Sequence, residues 1–384
     1  MRTVLSDPLP LLRRAGSRAR RAAVRPAAAV LPLLVVLALA GCTAAAPGAT
    51  SGAGTPPAPS GAPSSPFSGT SASSATGTSP ASAAPVYGSP SPSAAASAAA
   101  GAVSFPLTLR DDEGTDVTIP KQPARIVSLA PSITETLFAL GEGGRLVGVT
   151  SSDDYPPAVK SIPQVATYTG VELEKLVAAQ PDLVLAFQGI TSTTDIAHIR
   201  SLGIPVVVLD ATTLPAVFAD IVLVGDATGE AGPATRLSAQ LSSEAAAVES
   251  AVASEPRPRV FYELDATKTI YTPAPNDFTT DLIRRAGGDP ITSGVNGVYS
   301  ISLERLVADD PQVIVLGDAN YGTTPAMVAA RPGWSVMTAV RDHAIRPVDD
   351  TIVTRPGPRI VQGLEALAAA IHPGVALPSL APVP

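Results

Sequence analysis

Groups capable of covalent chemistry are few in this 384-residue chain, and their spacing does not suit it. Cys42 is the only cysteine. That leaves no disulfide framework, thiolate zinc site, Cys-x-x-Cys pair or thiol nucleophile for a folded domain further along. His198, His343 and His372 are the only imidazoles, and they fall on separate segments. Each reads as a solvated surface histidine; the other reading is an axial ligand to a metal held in a macrocycle. Asp153-Asp154 and Asp349-Asp350 are adjacent carboxylates. Neighbours in sequence tend to point apart, so solvated loops or Asx turns are the expected role. No nucleophile elbow, glycine-rich phosphate loop or zinc-helix motif occurs. The chain therefore reads as a binder, with no catalytic residues and no metal or cofactor of its own.

Aromatic residues make up only 4% of the chain, yet several fall where predicted strands end and loops begin. Such rings suit a flat, partly apolar ligand. For Tyr168, Phe187 and Tyr299 the pocket is the preferred reading over a place in the core; for Trp334, which precedes an apparent helix, the two readings are level.

The elements that must carry these residues repeat. Leu173-Glu-Lys-Leu-Val-Ala-Ala-Gln-Pro-Asp-Leu-Val-Leu185 recurs 130 residues later as Leu303-Glu-Arg-Leu-Val-Ala-Asp-Asp-Pro-Gln-Val-Ile-Val315, six of thirteen positions being identical. A strand over 125–129 precedes a helix over 132–140, and a strand over 259–263 precedes a helix over 277–286. Further strands are expected at 146–150, 182–187 and 205–210, and again at 289–291, 312–317 and 345–348. Runs such as Val206-Val-Val-Leu209 suit strands of a parallel sheet buried on both faces. The fold class is thus α/β: two similar Rossmann-like lobes, preceded by a hairpin over 107–119. One long helix over 232–255 joins them, its apolar residues Ala234, Leu237, Leu241, Ala245, Val248 and Val252 falling on one face. A single helix limits hinge motion, and a ligand cleft is expected between the lobes at the strands' carboxyl ends.

Residues 1–41 hold seven arginines and one aspartate, followed within that segment by an apolar run of about fourteen residues, too short for a stable span and suited to a secretory signal. Because that segment carries +6 of a chain total of −7, the remainder carries −13, which argues against nucleic acid as a partner. The run ends Leu39-Ala-Gly-Cys42, which resembles a bacterial lipobox, so Cys42 is the expected site of lipidation. Residues 43–102 are almost wholly Ala, Ser, Gly, Pro and Thr, without a charge. Such a segment buries too little to offset its ordering entropy, and as a coil it reaches roughly 40–45 Å. The expected organisation is a signal peptide (1–41), a lipid-anchored linker (42–102), a first lobe (103–230), an inter-lobe helix (231–256) and a second lobe (257–384).

Ile126-Val-Ser-Leu-Ala-Pro-Ser-Ile-Thr-Glu135, Leu146-Val-Gly-Val-Thr150, Asp154-Tyr-Pro156, the paired Leu-Glu-[Lys/Arg] segments and Arg355-Pro-Gly-Pro-Arg359 occur in order. Together they resemble the cobalamin/ferric-siderophore class of periplasmic binding proteins over about residues 107–373. Along lobe one the resemblance is to the cobalamin-binding branch, carried by Thr167–Glu174 and Ala211-Thr212. There Tyr168 and Phe187 fall at ring positions, while Ser152 stands where a further ring is expected. The resemblance implies a monomeric solute receptor of an ABC importer, on the outer face of the cytoplasmic membrane. It would take a corrinoid or a ferric chelate such as a siderophore or haem. Tyr168, Phe187, Gln188, Tyr299, Trp334 and Arg355 form the expected ligand set. Glu174 and Glu304, at equivalent points of the repeat, would dock on an ABC permease dimer; their other reading is favourable placement in the first turn of a helix. The competing function is a cell-surface lipoprotein with enzymatic or wall-adhesive work.

Overall fold

The computed structural model describes residues 103–383. The expected signal, linker and Cys42 lie outside the described residues. A hairpin opens the fold: β1 (Leu107–Arg110) pairs antiparallel with β2 (Asp116–Ile119). The chain then runs through β3 (Ile126–Ser128), α1 (Pro131–Ala139), β4 (Leu146–Thr150), β5 (Gln164–Thr167) and β6 (Gly170–Val171). It continues through α2 (Leu173–Ala178), β7 (Leu183–Phe187), α3 (Thr193–Ser201) and β8 (Val206–Leu209). These strands form one sheet in the order β6-β5-β4-β3-β7-β8, parallel except for β6. Every residue of β3, β7 and β8 is buried, as the unbroken apolar runs require of strands covered on both faces.

Two long helices follow, α4 (Leu214–Thr228) and α5 (Ala231–Val252). Thr213 caps α4, and Gly229 ends it at φ +87°, a left-handed conformation that glycine adopts without strain. A Cβ built on Gly225 would stand 2.2 Å from Ala234 Cβ, so only glycine lets the two helices approach this closely. α5 buries Ala234, Leu237, Leu241, Ala245, Val248 and Val252, the face expected from their spacing. Its 22 residues give a rod of roughly 33 Å.

The second lobe comprises β9 (Arg259–Glu263), β10 (Ile270–Tyr271), α6 (Phe278–Arg285), β11 (Asp289–Ile291), β12 (Ser300–Ile301), α7 (Leu303–Asp309) and β13 (Val313–Leu316). α8 (Pro325–Ala329), α9 (Thr338–Arg341), β14 (Ile345–Pro347), α10 (Asp350–Val353) and α11 (Ile360–Ile371) complete it. Its main sheet is ordered β11-β9-β13-β14, all parallel, the same arrangement as β4-β3-β7-β8. Lobe one differs by adding β5 and β6 at one edge, and β10 pairs with β12 as a separate ribbon in lobe two. The fold is therefore two similar α/β lobes joined by a single unbroken helix.

The repeat extends to fine detail. Gln180 and Asp310, 130 residues apart, end α2 and α7 at φ 47° and 41°. Arg125 reaches the carbonyls of Ala179 and Gln180, and Arg259 those of Asp309 and Asp310, so each lobe ties the end of its helix to its first strand by the same guanidinium fork. One apolar core joins α1, α4, α5, α6 and α11 and so runs through both lobes. Two smaller cores fill the outer faces of the sheets.

Candidate functional site

In lobe one, β4 leaves β3 on one side while β7 lies on the other, so a crevice opens beyond the carboxyl ends of β3 and β7. Two hollows meet there. The first, about 460 Å³, lies between the ends of β3, β4 and β5 and the 350–356 segment of lobe two. The second, about 450 Å³, lies between the ends of β7 and β8 and the start of α6. Gly189, Ile190, Thr354 and Pro356 wall both. Each falls within the range of small-molecule sites, about 300–1,000 Å³.

Tyr168 stands on the lip of the first hollow with 94% of its surface exposed, and Arg355 lines the same space. Phe187, Gln188 and Tyr299 line the second. Phe187 is at once a core and a wall residue, being 8% exposed at the end of β7. The Gln188 Oε1 and Thr191 Oγ1 atoms are buried at these walls without a hydrogen-bond partner. An orphaned polar atom costs about 1–3 kcal/mol, which a ligand donor would offset.

Trp334 is a correction to the expected set. It is 3% exposed inside the lobe-two core, edge-on to Phe261 with ring centroids 6.1 Å apart, and Arg331 lies 4.7 Å over its ring. Glu263, at the end of β9, is fully buried and held by both Arg331 terminal nitrogens at 2.6 and 2.7 Å. Burial pushes the Glu263 carboxyl upward, against the pull of Arg331.

Arg355 does not offer a free charge. Its Nη1 donates to Asp154 Oδ1 at 2.5 Å and to Glu135 Oε1 at 3.2 Å. Glu135, buried in α1, also takes Arg359 in two contacts of 2.6 and 2.8 Å. The Arg359 guanidinium stacks 4.1 Å over Tyr155. The hydrogen bond from Arg355 holds the Asp154 carboxyl below its usual range, against the effect of burial. Five side chains thus clamp lobe one to lobe two, and Arg355 brings the clamp to the wall of the first hollow. Glu135, Asp154, Tyr155 and Arg359 were not in the expected ligand set; the signal was that all four sit in the motif segments that carry the family resemblance.

Of the adjacent carboxylates, Asp153 and Asp154 diverge, whereas Asp349 and Asp350 meet on the Asn320 amide nitrogen. Asp153 turns inward and accepts from the Thr150 amide at 2.9 Å, and burial raises its carboxyl. Asp349 caps α10 at the Thr351 amide, while Asp350 faces the Tyr321 hydroxyl at 3.4 Å; Asn320 bridges both. His198 and His343 are exposed, but His372 is buried against Gly287, contrary to its reading as a surface residue. Among the described residues no three His, Cys, Asp or Glu side chains converge as a metal-binding group.

Glu174 and Glu304 are exposed in the first turns of α2 and α7. Its own backbone amide, then the Ser302 hydroxyl, holds the Glu304 carboxyl below its ordinary value.

Residues 126–351 match the family model described as periplasmic binding protein. The chain is 34% identical over 275 residues to an uncharacterized ABC transporter substrate-binding lipoprotein, YvrC, of Bacillus subtilis, covering 70% of this chain and 86% of that one. It is 33% identical over 294 residues to a cobalamin-binding protein of Halobacterium salinarum, covering 74% and 79%. Among solved structures it is similar to the periplasmic heme-binding protein RhuT of Roseiflexus sp. RS-1, with a TM-score of 0.57 and 29% identity over 65% of this chain and 99% of that one.

Proposed function

The chain belongs to the periplasmic binding protein family, and on that premise we propose that it is a lipid-anchored, extracytoplasmic solute receptor of an ABC importer. Its ligand is a corrinoid such as cobalamin, with ferric chelates and haem as the neighbouring class. The observation that carries this reading is the cleft. Tyr168 on lobe one and Tyr299 and Tyr321 on lobe two border it, leaving ring faces for a large flat ligand. Relatives named as a cobalamin-binding protein and as an ABC transporter substrate-binding lipoprotein support the same reading.

In this proposal Cys42 carries the lipid, residues 43–102 form the tether, and residues 103–230, 231–256 and 257–384 are the first lobe, joining helix and second lobe of a monomer. Tyr168, Phe187, Gln188 and Tyr299 touch the ligand. Arg355 does so from within its ion-pair network, as the lobes' connection as well as a contact. The Glu174 and Glu304 carboxylates, exposed at equivalent places of the two lobes, dock on arginines of the permease dimer. Capture and hand-over need no covalent step.

The test is a titration of the purified receptor with cyanocobalamin, haemin and a ferric trihydroxamate, followed by tyrosine fluorescence, beside an absorption spectrum of protein taken from its host. A corrin spectrum or saturable micromolar binding is the expected result. Failure of every one of these ligands to bind would remove the receptor reading.

A further inference from the structure

Four carboxylates line the two hollows: Asp195 and Asp350 the first, Asp210 and Asp277 the second. Among the described residues that line them the only cation is Arg355, and it is already committed to Asp154 and Glu135. Among the described residues no counter-cation reaches Asp210. The charged groups around it are Asp112, whose Oδ2 accepts from the Asp210 amide at 2.9 Å, and Glu113. Arg200 is the nearby arginine, and it is spent on Asp111 and Glu113. The amino ends of α3 and α6 point toward the cleft and offset part of this charge, about half a unit each. The balance stays negative.

We infer that this cleft selects its ligand by charge, with Asp210 and Asp277 as specificity-determining residues that reject anionic chelates and leave a neutral or cationic macrocycle as the solute. This rests on the receptor reading and narrows it. A haem brings two carboxylates and a ferric tris-catecholate three negative charges, which the cleft would have to bring against its own carboxylates without a free guanidinium to meet them. A solute bearing neutral amides instead finds the unpartnered Gln188 Oε1 and Thr191 Oγ1 at the walls.

The tyrosines point the same way. Tyr321 faces Asp350, whose charge holds its phenol protonated above the ordinary range. Burial, then Asp277, does the same to Tyr299. An iron-bound phenolate is favoured by a neighbouring cation, and each of these phenols has a carboxylate in that place. Both are suited to stacking and to donating a hydrogen bond.

The experiment measures dissociation constants for cyanocobalamin, haemin and a ferric tris-catecholate, at low and high ionic strength, for the unmodified receptor and for Asp210→Asn/Asp277→Asn. Asparagine keeps the α6 cap that Asp277 provides at the Thr279 amide, and a thermal melt checks folding. The unmodified receptor should prefer the neutral corrinoid over either anion by about tenfold or more. The double variant should shift that ratio at least about fivefold toward the anions, and high salt should shrink the shift. Corrinoid binding with a ratio that the substitutions leave unmoved would overturn the charge filter alone. Tighter binding of haemin than of the corrinoid by the unmodified receptor would overturn it too and leave a receptor for anions. Absence of binding by all three would remove the filter together with the receptor reading.

Discussion

Glu135 and Arg359 meet across the two lobes in a two-point ion pair, Oε1 to Nη2 at 2.6 Å and Oε2 to Nε at 2.8 Å. They are 224 positions apart in sequence. The Glu135 side chain is 2% exposed and that of Arg359 13%, so water screens the pair weakly. With the shared core around α5, this contact fixes the angle between the lobes and hence the width of the cleft.

Removing one partner of such a pair leaves a buried charge uncompensated. Glu135→Ala should cost about 3 kcal/mol or more of stability, read as a lowered urea midpoint. Glu135→Gln, which keeps one acceptor, should cost less. Equal stability of both variants with the unmodified chain would mean that the clamp contributes nothing to holding the lobes.

Tyr168 and Trp334 should behave oppositely. Tyr168, almost wholly exposed, should lose ligand affinity on change to Ala by about 1–3 kcal/mol with an unshifted melting temperature. Trp334→Ala empties a packed core and should cost about 3–5 kcal/mol of stability. Isothermal titration beside differential scanning calorimetry separates the two outcomes, and a destabilised Tyr168→Ala would contradict its place on the cleft lip.

The docking carboxylates call for a paired change, since one remaining contact can still seat the receptor. Glu174→Ala/Glu304→Ala should sharply reduce solute uptake while affinity for the solute stays near normal. Uptake at the unmodified rate would return both residues to a helix-dipole role.

Asp220, buried in α4, has its pKa pushed up to about 9 by desolvation and then by Asp112 and Asp210. The folded value lies above the unfolded one, so the stability this group contributes is full below about pH 4 and is lost as pH rises toward about 9. Asp220→Asn removes that slope. The variant should exceed the unmodified protein in stability by about 1–3 kcal/mol at about pH 8, with the gap narrowing near pH 4. Urea midpoints at the two pH values check it, and a gap that widens toward acid would reverse the sign.

Lipid attachment needs a thiol, so Cys42→Ser should move the protein from the membrane fraction to the soluble one. Recovery unchanged in the membrane fraction would sink the anchor.

Local pattern alone was enough for much of the fold. Strands buried on both faces show as apolar runs, the long helix as one apolar stripe, and the duplication as a repeated segment, because each signal is confined to a few neighbouring residues. The edges of β4, β9 and β11 and the buried face of α5 agree with that reading residue for residue. The side chains at strand ends were another matter. Phe187 and Glu263 each end an inner strand of their lobe's sheet, yet one borders an open hollow while the other is sealed under Arg331. What decides between them is the segment that folds over the end, 68 positions further along for Glu263. The same holds for Trp334, which the turn before α9 places in the core, and for Arg355, whose charge is claimed from the opposite lobe. Sequence periodicity reports which face of an element is covered; which distant group covers it is set by tertiary packing, because burial and ion pairing depend on distances in space.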